Sequence, residues 1–179
     1  MASPTKQAII DSFLHLAAKK SPDKITVRDI VDDCGINRNT FYYYFQDIYA
    51  VIEALCAELF EAVPKEQPLA PTLSAFYTHI LTFATEHPAA ARSLALSLGF
   101  EGMERFLAAD TDGMITHAVA TGGEKPLSPT ALRFFRHALL GLSLDALRGG
   151  KHPVSGKEEA NAFFCRLAQT LDLTERTPL

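Results

Sequence analysis

The run Asn37-Arg38-Asn39-Thr40-Phe41-Tyr42-Tyr43-Tyr44-Phe45 packs a cation, two amides and three tyrosines into nine residues. Arginine offers a fork of donors that fits the guanine edge, asparagine a donor–acceptor pair that fits adenine, and tyrosine a hydroxyl for phosphate. That is the chemistry of reading a duplex, without bond making or breaking. Phe41 and Phe45 stand four apart and share one helical face, which is expected to be buried. Arg38, Asn39, Tyr42 and Tyr43 then lie on the opposite face. Three successive tyrosines cannot all point inward, so at least one is exposed.

The elements that hold this face lie just upstream. Thr26 is expected to N-cap a helix, with Asp29 as its acidic first-turn partner. Ile30 and Val31 supply that helix's buried side. Gly35 stops it, since glycine takes the left-handed backbone of such a stop without strain. Ile36 pins the turn, and Asn37 caps the next helix. Two short helices joined this way, the second led by Arg and Asn, form a helix-turn-helix suited to the major groove. Arg38 and Asn39 are expected at base edges and Tyr43 at a thymine methyl. Thr26, Asn37, Thr40 and Tyr42 are expected at phosphates, with Arg28, exposed in the first turn. Tyr44 is counted among the DNA contacts, with a core position as its alternative.

Charge points the other way. The chain carries 17 Lys and Arg against 21 Asp and Glu, a net −4. Its first 60 residues hold six cations and eight carboxylates, a net −2. Without a broad basic field, phosphate contacts must also come from hydroxyls and helix N-termini, and non-specific DNA binding is expected to be weak. No run of apolar residues is long enough for a membrane span, and no secretory signal is present, so a cytoplasmic protein is expected. Cys34, Cys56 and Cys165 are scattered, without zinc or disulfide spacing. No GxSxG, phosphate loop, dinucleotide fingerprint or carboxylate–histidine cluster occurs, so neither an enzyme nor a cofactor or metal is expected.

The whole chain reads as all-α. After a helix from about residue 5 to 20 and the helix-turn-helix, a fourth helix opens at Gln46 and Asp47. The breaker Pro64–Pro71 marks the boundary between an N-terminal domain, about residues 1–62, and a larger C-terminal one, about 63–179. Helical periodicity continues over about 72–86, 89–98, 102–121, 128–148 and 155–171, about nine helices in all, with Gly113 a weak point. Phe163, Phe164, Leu167, Ala168 and Leu171 make a broad apolar stripe. The helix before it is apolar nearly all round, so it is either a buried central helix or one covered by a second copy. Mid-helix Gly141 suggests close helix approach. Arg133, Arg136, Arg148, Lys151 and Lys157 read as a solvated basic face.

From about Lys6 to Leu55 the sequence resembles the TetR family of transcriptional regulators. The resemblance rests on Thr26 before Ile30 and Val31, on Gly35-Ile36-Asn37, and on the TFYxYF core, Thr40 to Phe45. It implies a homodimer, a three-helix DNA-binding domain, and a larger helical domain for effector binding and dimerisation. Two readers related by a two-fold imply a palindromic operator in double-stranded DNA. The usual outcome is repression, released by a small-molecule effector of unknown identity. Phe76, Tyr77, His79, Phe83, Phe100, Met103, Phe106, Met114 and His117 are then candidates to line the effector pocket, each with plain core packing as its alternative. Phe134, Ala138, Gly141, Leu142, Phe163 and Leu167 are candidates for the dimer interface. One residue departs from the pattern: Ile48 stands where the family has a phosphate-binding Lys. That departure, with the acidic N-terminal domain, leaves an alternative, a helical interaction module of this fold that has lost DNA binding.

Overall fold

The computed structural model describes residues 3–149 and 157–172, and in the last helix the side chains of 158–167. Among the described residues it is all-α, with eight helices and no strand. They are α1 (Pro4–Ala17), α2 (Val27–Cys34), α3 (Arg38–Tyr44), α4 (Ile48–Glu61), α5 (Leu69–Glu86), α6 (Pro88–Thr121), α7 (Pro129–Leu147) and α8 (Lys157–Asp172). A 3₁₀ turn, Pro22–Lys24, links α1 to α2. The count is one short of expectation only because the two helices foreseen after Pro88 meet end to end: α6 is kinked at Gly99 (φ 59°, ψ −167°), between the two foreseen spans, while Gly113 lies within the second part. α5 starts inside the foreseen breaker. Pro71 falls in its first turn, where a missing N–H costs nothing.

α1 to α3 close around a small core. Ile9, Ile10 and Phe13 of α1, Ile30 of α2 and Phe41 of α3 are fully buried. Each such side chain contributes roughly 1.5–3 kcal/mol relative to exposure. Polar ties fix α1 on α2: the buried Ser12 hydroxyl donates to Asp33 at 2.8 Å, and His15 Nδ1 meets the other Asp33 oxygen at 2.9 Å.

The second layer is built on α5, whose Leu73, Phe76 and Ile80 are buried. α6 and α7 pack on one another and both on α5, and α8 also lies on α5. The buried apolar residues form one cluster across the link at Pro64–Pro68. Arg136 corrects the reading of a solvated basic face. It is only 17% exposed and reaches across from α7 to α6, with Nη1 2.6 Å from Asp112 and Nη2 3.5 Å from Glu104. His137 Nε2 also meets Glu104, at 3.1 Å. A guanidinium leaves water only where carboxylates replace its hydration. Lys151 and the side chains of Lys157, Ala168 and Leu171 lie outside the described residues.

Candidate nucleic-acid interface

The caps of the two short helices are built as their sequence dictates. Thr26 Oγ1 accepts from Asp29 N at 3.2 Å, and Asp29 Oδ2 accepts from Thr26 N at 2.7 Å. These reciprocal bonds satisfy two orphan donors. The same Asp29 oxygen takes Lys20 Nζ at 2.7 Å and the Thr26 hydroxyl at 2.6 Å. The Lys20 bond first, then those from Thr26, hold the Asp29 carboxyl far below the usual carboxylate range. Gly35 ends α2 at φ 70°, ψ 29°, and Ile36 N reaches back to Val31 O at 3.1 Å. Asn37 Oδ1 then caps α3, accepting Thr40 N at 2.8 Å and the Thr40 hydroxyl at 3.1 Å.

α3 divides sharply between inside and outside. Phe41 is 0% exposed, against 52% for Tyr42 and 82% for Tyr43. Arg38 and Asn39 are exposed in the first turn and have no side-chain partner among the described residues. Side chains at 38, 39, 42 and 43 share one helical face, so the structure brings the four together. Arg28 is exposed too, loosely paired with Asp32 at 3.5 Å on the solvent side of α2. Tyr44 is half-buried, and its hydroxyl meets Ser3 Oγ at 3.0 Å, so it ties α3 to the start of α1.

One feature at the edge of this face escaped the sequence. Lys6 Nζ sits 5.9 Å over the Phe45 ring, which places a cation beside the end of α3. Only the helix-on-helix arrangement brings Lys6 there; no local spacing signals it. Asp47 is the N-cap of α4, with Oδ1 accepting Ala50 N at 2.9 Å. The Asp-x-x pattern before an apolar run is the signal that finds such a cap.

A cleft of about 260 Å³ opens between α4, α5 and α6. Phe60, Val63, Met114 and Ala118 give it apolar walls, and Lys65, Asp110 and His117 bring polar groups. Of the nine candidate pocket residues, Met114 and His117 line it. Phe76, Tyr77 and Met103 are buried core instead. Phe76 packs on Phe60 at 4.9 Å and Tyr77 on Phe164 at 6.0 Å, edge-on. Phe83 leans on His87, Phe100 on His137, and Phe106 stacks on Tyr49, while His79 is half-buried on α5. Behind the cleft, burial and then the charge of Asp110 push the Cys56 thiol up to about 12, which keeps it inert. On α7, Phe134 is 53% exposed, and Ala138, Gly141 and Leu142 are half-buried. A methyl added at Gly141 would meet nothing within 4 Å in the chain itself. Phe163 and Leu167 of α8 are half-buried against the core.

Residues 9–55 match the family model described as bacterial regulatory proteins, tetR family. Over that stretch the chain is similar to the TetR family. No curated protein matches it. Solved structures resemble it over nearly its whole length. A tetR-family transcriptional regulator from Streptomyces coelicolor is 18% identical, with TM-score 0.64 over 94% of this chain and 83% of its own. The dihydroxyacetone kinase operon activator DhaS is 17% identical, with TM-score 0.65 over 94% of this chain and 96% of its own. The repressor AlkX from a Dietzia species is 16% identical, with TM-score 0.54 over 95% and 96%. At such identities the likeness is one of fold. That fold accounts for the second layer, α5 to α8, which the family model does not reach.

Within the stretch similar to the TetR family, the start of α4 departs from the expected pattern. Ile48 is half-buried against the core in place of a phosphate-binding Lys. Asp47 already holds one N–H of this helix N-terminus, that of Ala50. A carboxylate there repels an approaching phosphate. Among the described residues no group of three or more His, Cys, Asp or Glu is arranged to hold a metal, and no helix is long and apolar enough to cross a membrane.

Proposed function

We propose that the protein is a homodimeric, DNA-binding transcriptional regulator that reads a palindromic operator with α3. One observation carries the reading. Arg38, Asn39, Tyr42 and Tyr43 form an exposed face, free of internal partners for its Arg and Asn, directly over the buried Phe41. A rigid helix whose outer face holds unspent donors and flat rings is suited to base edges and phosphates. In this proposal Arg38 and Asn39 meet base edges, and Tyr43 meets a thymine methyl. Thr26, Arg28, Asn37, Thr40 and Tyr42 meet phosphates. In the free protein Thr26 and Thr40 spend both hydroxyl and backbone N–H on their caps, so the Asn37 side-chain NH2 makes the first contact and the two threonines join when a phosphate competes for their hydroxyls. The exposed patch around Phe134 and Gly141 on α7, with Phe163 and Leu167 of α8, forms the dimer. Such a dimer blocks transcription when its operator overlaps a promoter. A small apolar or amphipathic effector in the cleft between α4, α5 and α6 releases it, by binding the state whose two readers no longer match their half-sites.

Selection of the purified chain on a pool of random duplexes tests the proposal. It is expected to return a two-fold repeat, with binding that falls as salt rises. Recovery of no sequence at low salt would refute DNA reading.

A further inference from the structure

We propose that the cleft between α4, α5 and α6 takes a flat organic cation, with Gly113 making room for its ring and Asp110 holding its ammonium. The proposal rests on the reading of this cleft as the effector site, and names the chemical class that the site selects.

Within its own chain Gly113 has no reason to be glycine. It lies inside α6 and is not one of the glycines with positive φ, so no turn requires it. A methyl built on it would meet nothing within 4 Å, so no close approach of another element requires it either. Glycine is also a poor helix former. What a side chain at 113 would occupy is the cleft, whose wall Gly113 forms. Phe60 of α4 gives another wall its ring, and buried Phe76 packs on that ring at 4.9 Å and steadies it. Bare backbone and an aromatic face leave a slot suited to a ring, and Met114 adds a polarisable thioether. A volume of about 260 Å³ is at the small end for a ligand site, so one or two rings fill it.

The charges at the rim decide the sign of the ligand. Thr72 brings no free polar group, because its hydroxyl is spent on Gln67 O and Pro68 O at 3.1 and 2.9 Å. Asp110, Gly113, Met114 and His117 recur at helical spacing on one face of α6. Asp110 has no hydrogen bond or ion pair among the described residues, and its charge reaches the Cys56 thiol behind the cleft. It is fixed to a rigid helix. Lys65, of opposite charge, is exposed on the link that follows Pro64, on a flexible stem that can turn to solvent. An entering anion meets a fixed carboxylate. An entering cation meets the same carboxylate and a lysine that can withdraw. The site therefore favours a cation, and the Phe60 ring adds attraction for it.

Titration of the purified full chain with matched probes, without DNA, tests this. The probes are naphthylmethylammonium, naphthylacetate and cyclohexylmethylammonium, which differ in charge or in flatness. Labelled methionine methyls report the place by NMR, since Met114 lines the cleft while Met103 is buried in the core. The naphthyl cation is expected to move the Met114 signal saturably and to leave Met103 in place. The naphthyl anion and the cyclohexyl cation are each expected to bind about fivefold more weakly. Asp110→Asn is expected to abolish the preference for the cation. Gly113→Ala is expected to melt no lower than the unmodified chain and to bind the naphthyl cation about tenfold more weakly. An unmoved Met114 signal overturns the proposal, as does equal affinity for the two naphthyl probes. A preference that survives Asp110→Asn overturns the role of the carboxylate, and unchanged binding by Gly113→Ala overturns that of the glycine. Selection on random duplexes decides DNA reading separately, so a chain that binds the cation and no duplex keeps this site and loses the proposed function.

Discussion

Asp29 Oδ2 receives Thr26 N, Thr26 Oγ1 and Lys20 Nζ, all within 2.7 Å. Every one of these bonds favours the ionised form, so the folded carboxyl titrates below its unfolded value of ~3.9. The resulting stabilisation is fully present above that value and is lost as pH falls through the folded one. Asp29→Asn is therefore expected to lower the melting temperature near neutral pH, with a gap that closes in acid. Melting curves over an acid series check it, and a constant gap would contradict it. Tyr44 makes a different case at the same scale. Its hydroxyl is used internally, on Ser3, so Tyr44→Phe is expected to cost about 1 kcal/mol of stability. Base preference on an operator panel should stay unchanged. A shift in preference would return Tyr44 to the DNA face.

At the scale of elements, the turn between α2 and α3 depends on two residues for different reasons. Gly35 sits at φ 70°, where a side chain costs roughly 1–2 kcal/mol of strain. Phe41 is fully buried, and truncating it to Ala leaves a cavity worth roughly 3–5 kcal/mol. Denaturant unfolding is expected to rank Phe41→Ala well below Gly35→Ala, and the reverse order would mean the core does not centre on α3. Elements of this kind were legible because local chemistry specifies them. The Thr26 capping box, the Gly35 stop, the Asn37 cap and the Phe41/Phe45 spacing each have a short-range cause. What escaped depends on contacts distant in sequence. Arg136 reads as a surface cation until Asp112 and Glu104 approach it from α6. Phe76 and Tyr77 read equally as cavity lining or core, and only their packing on Phe60 and Phe164 places them in the core. The two helices foreseen over 89–98 and 102–121 correspond to the two parts of α6, which meet at the kink on Gly99.

For the whole molecule, the exposed α7 patch and the open space at Gly141 argue for a second copy. Gly141→Arg is expected to leave the monomer's fold intact, because its own chain offers no clash, and to shift the sedimentation coefficient from dimer to monomer at micromolar concentration. An unchanged dimer would move the interface elsewhere. The acidic balance of the molecule bears on the proposed DNA binding: with a net −4, affinity would have to come from a few placed groups. Binding of Arg38→Ala and Asn39→Ala to a selected operator and its single-base variants tests that most directly. The account predicts that each loses about 1–3 kcal/mol on the operator, and that each loses discrimination at its own base position alone. If both variants keep the affinity and the base preference of the unmodified chain, α3 does not read the sequence and the central claim is wrong.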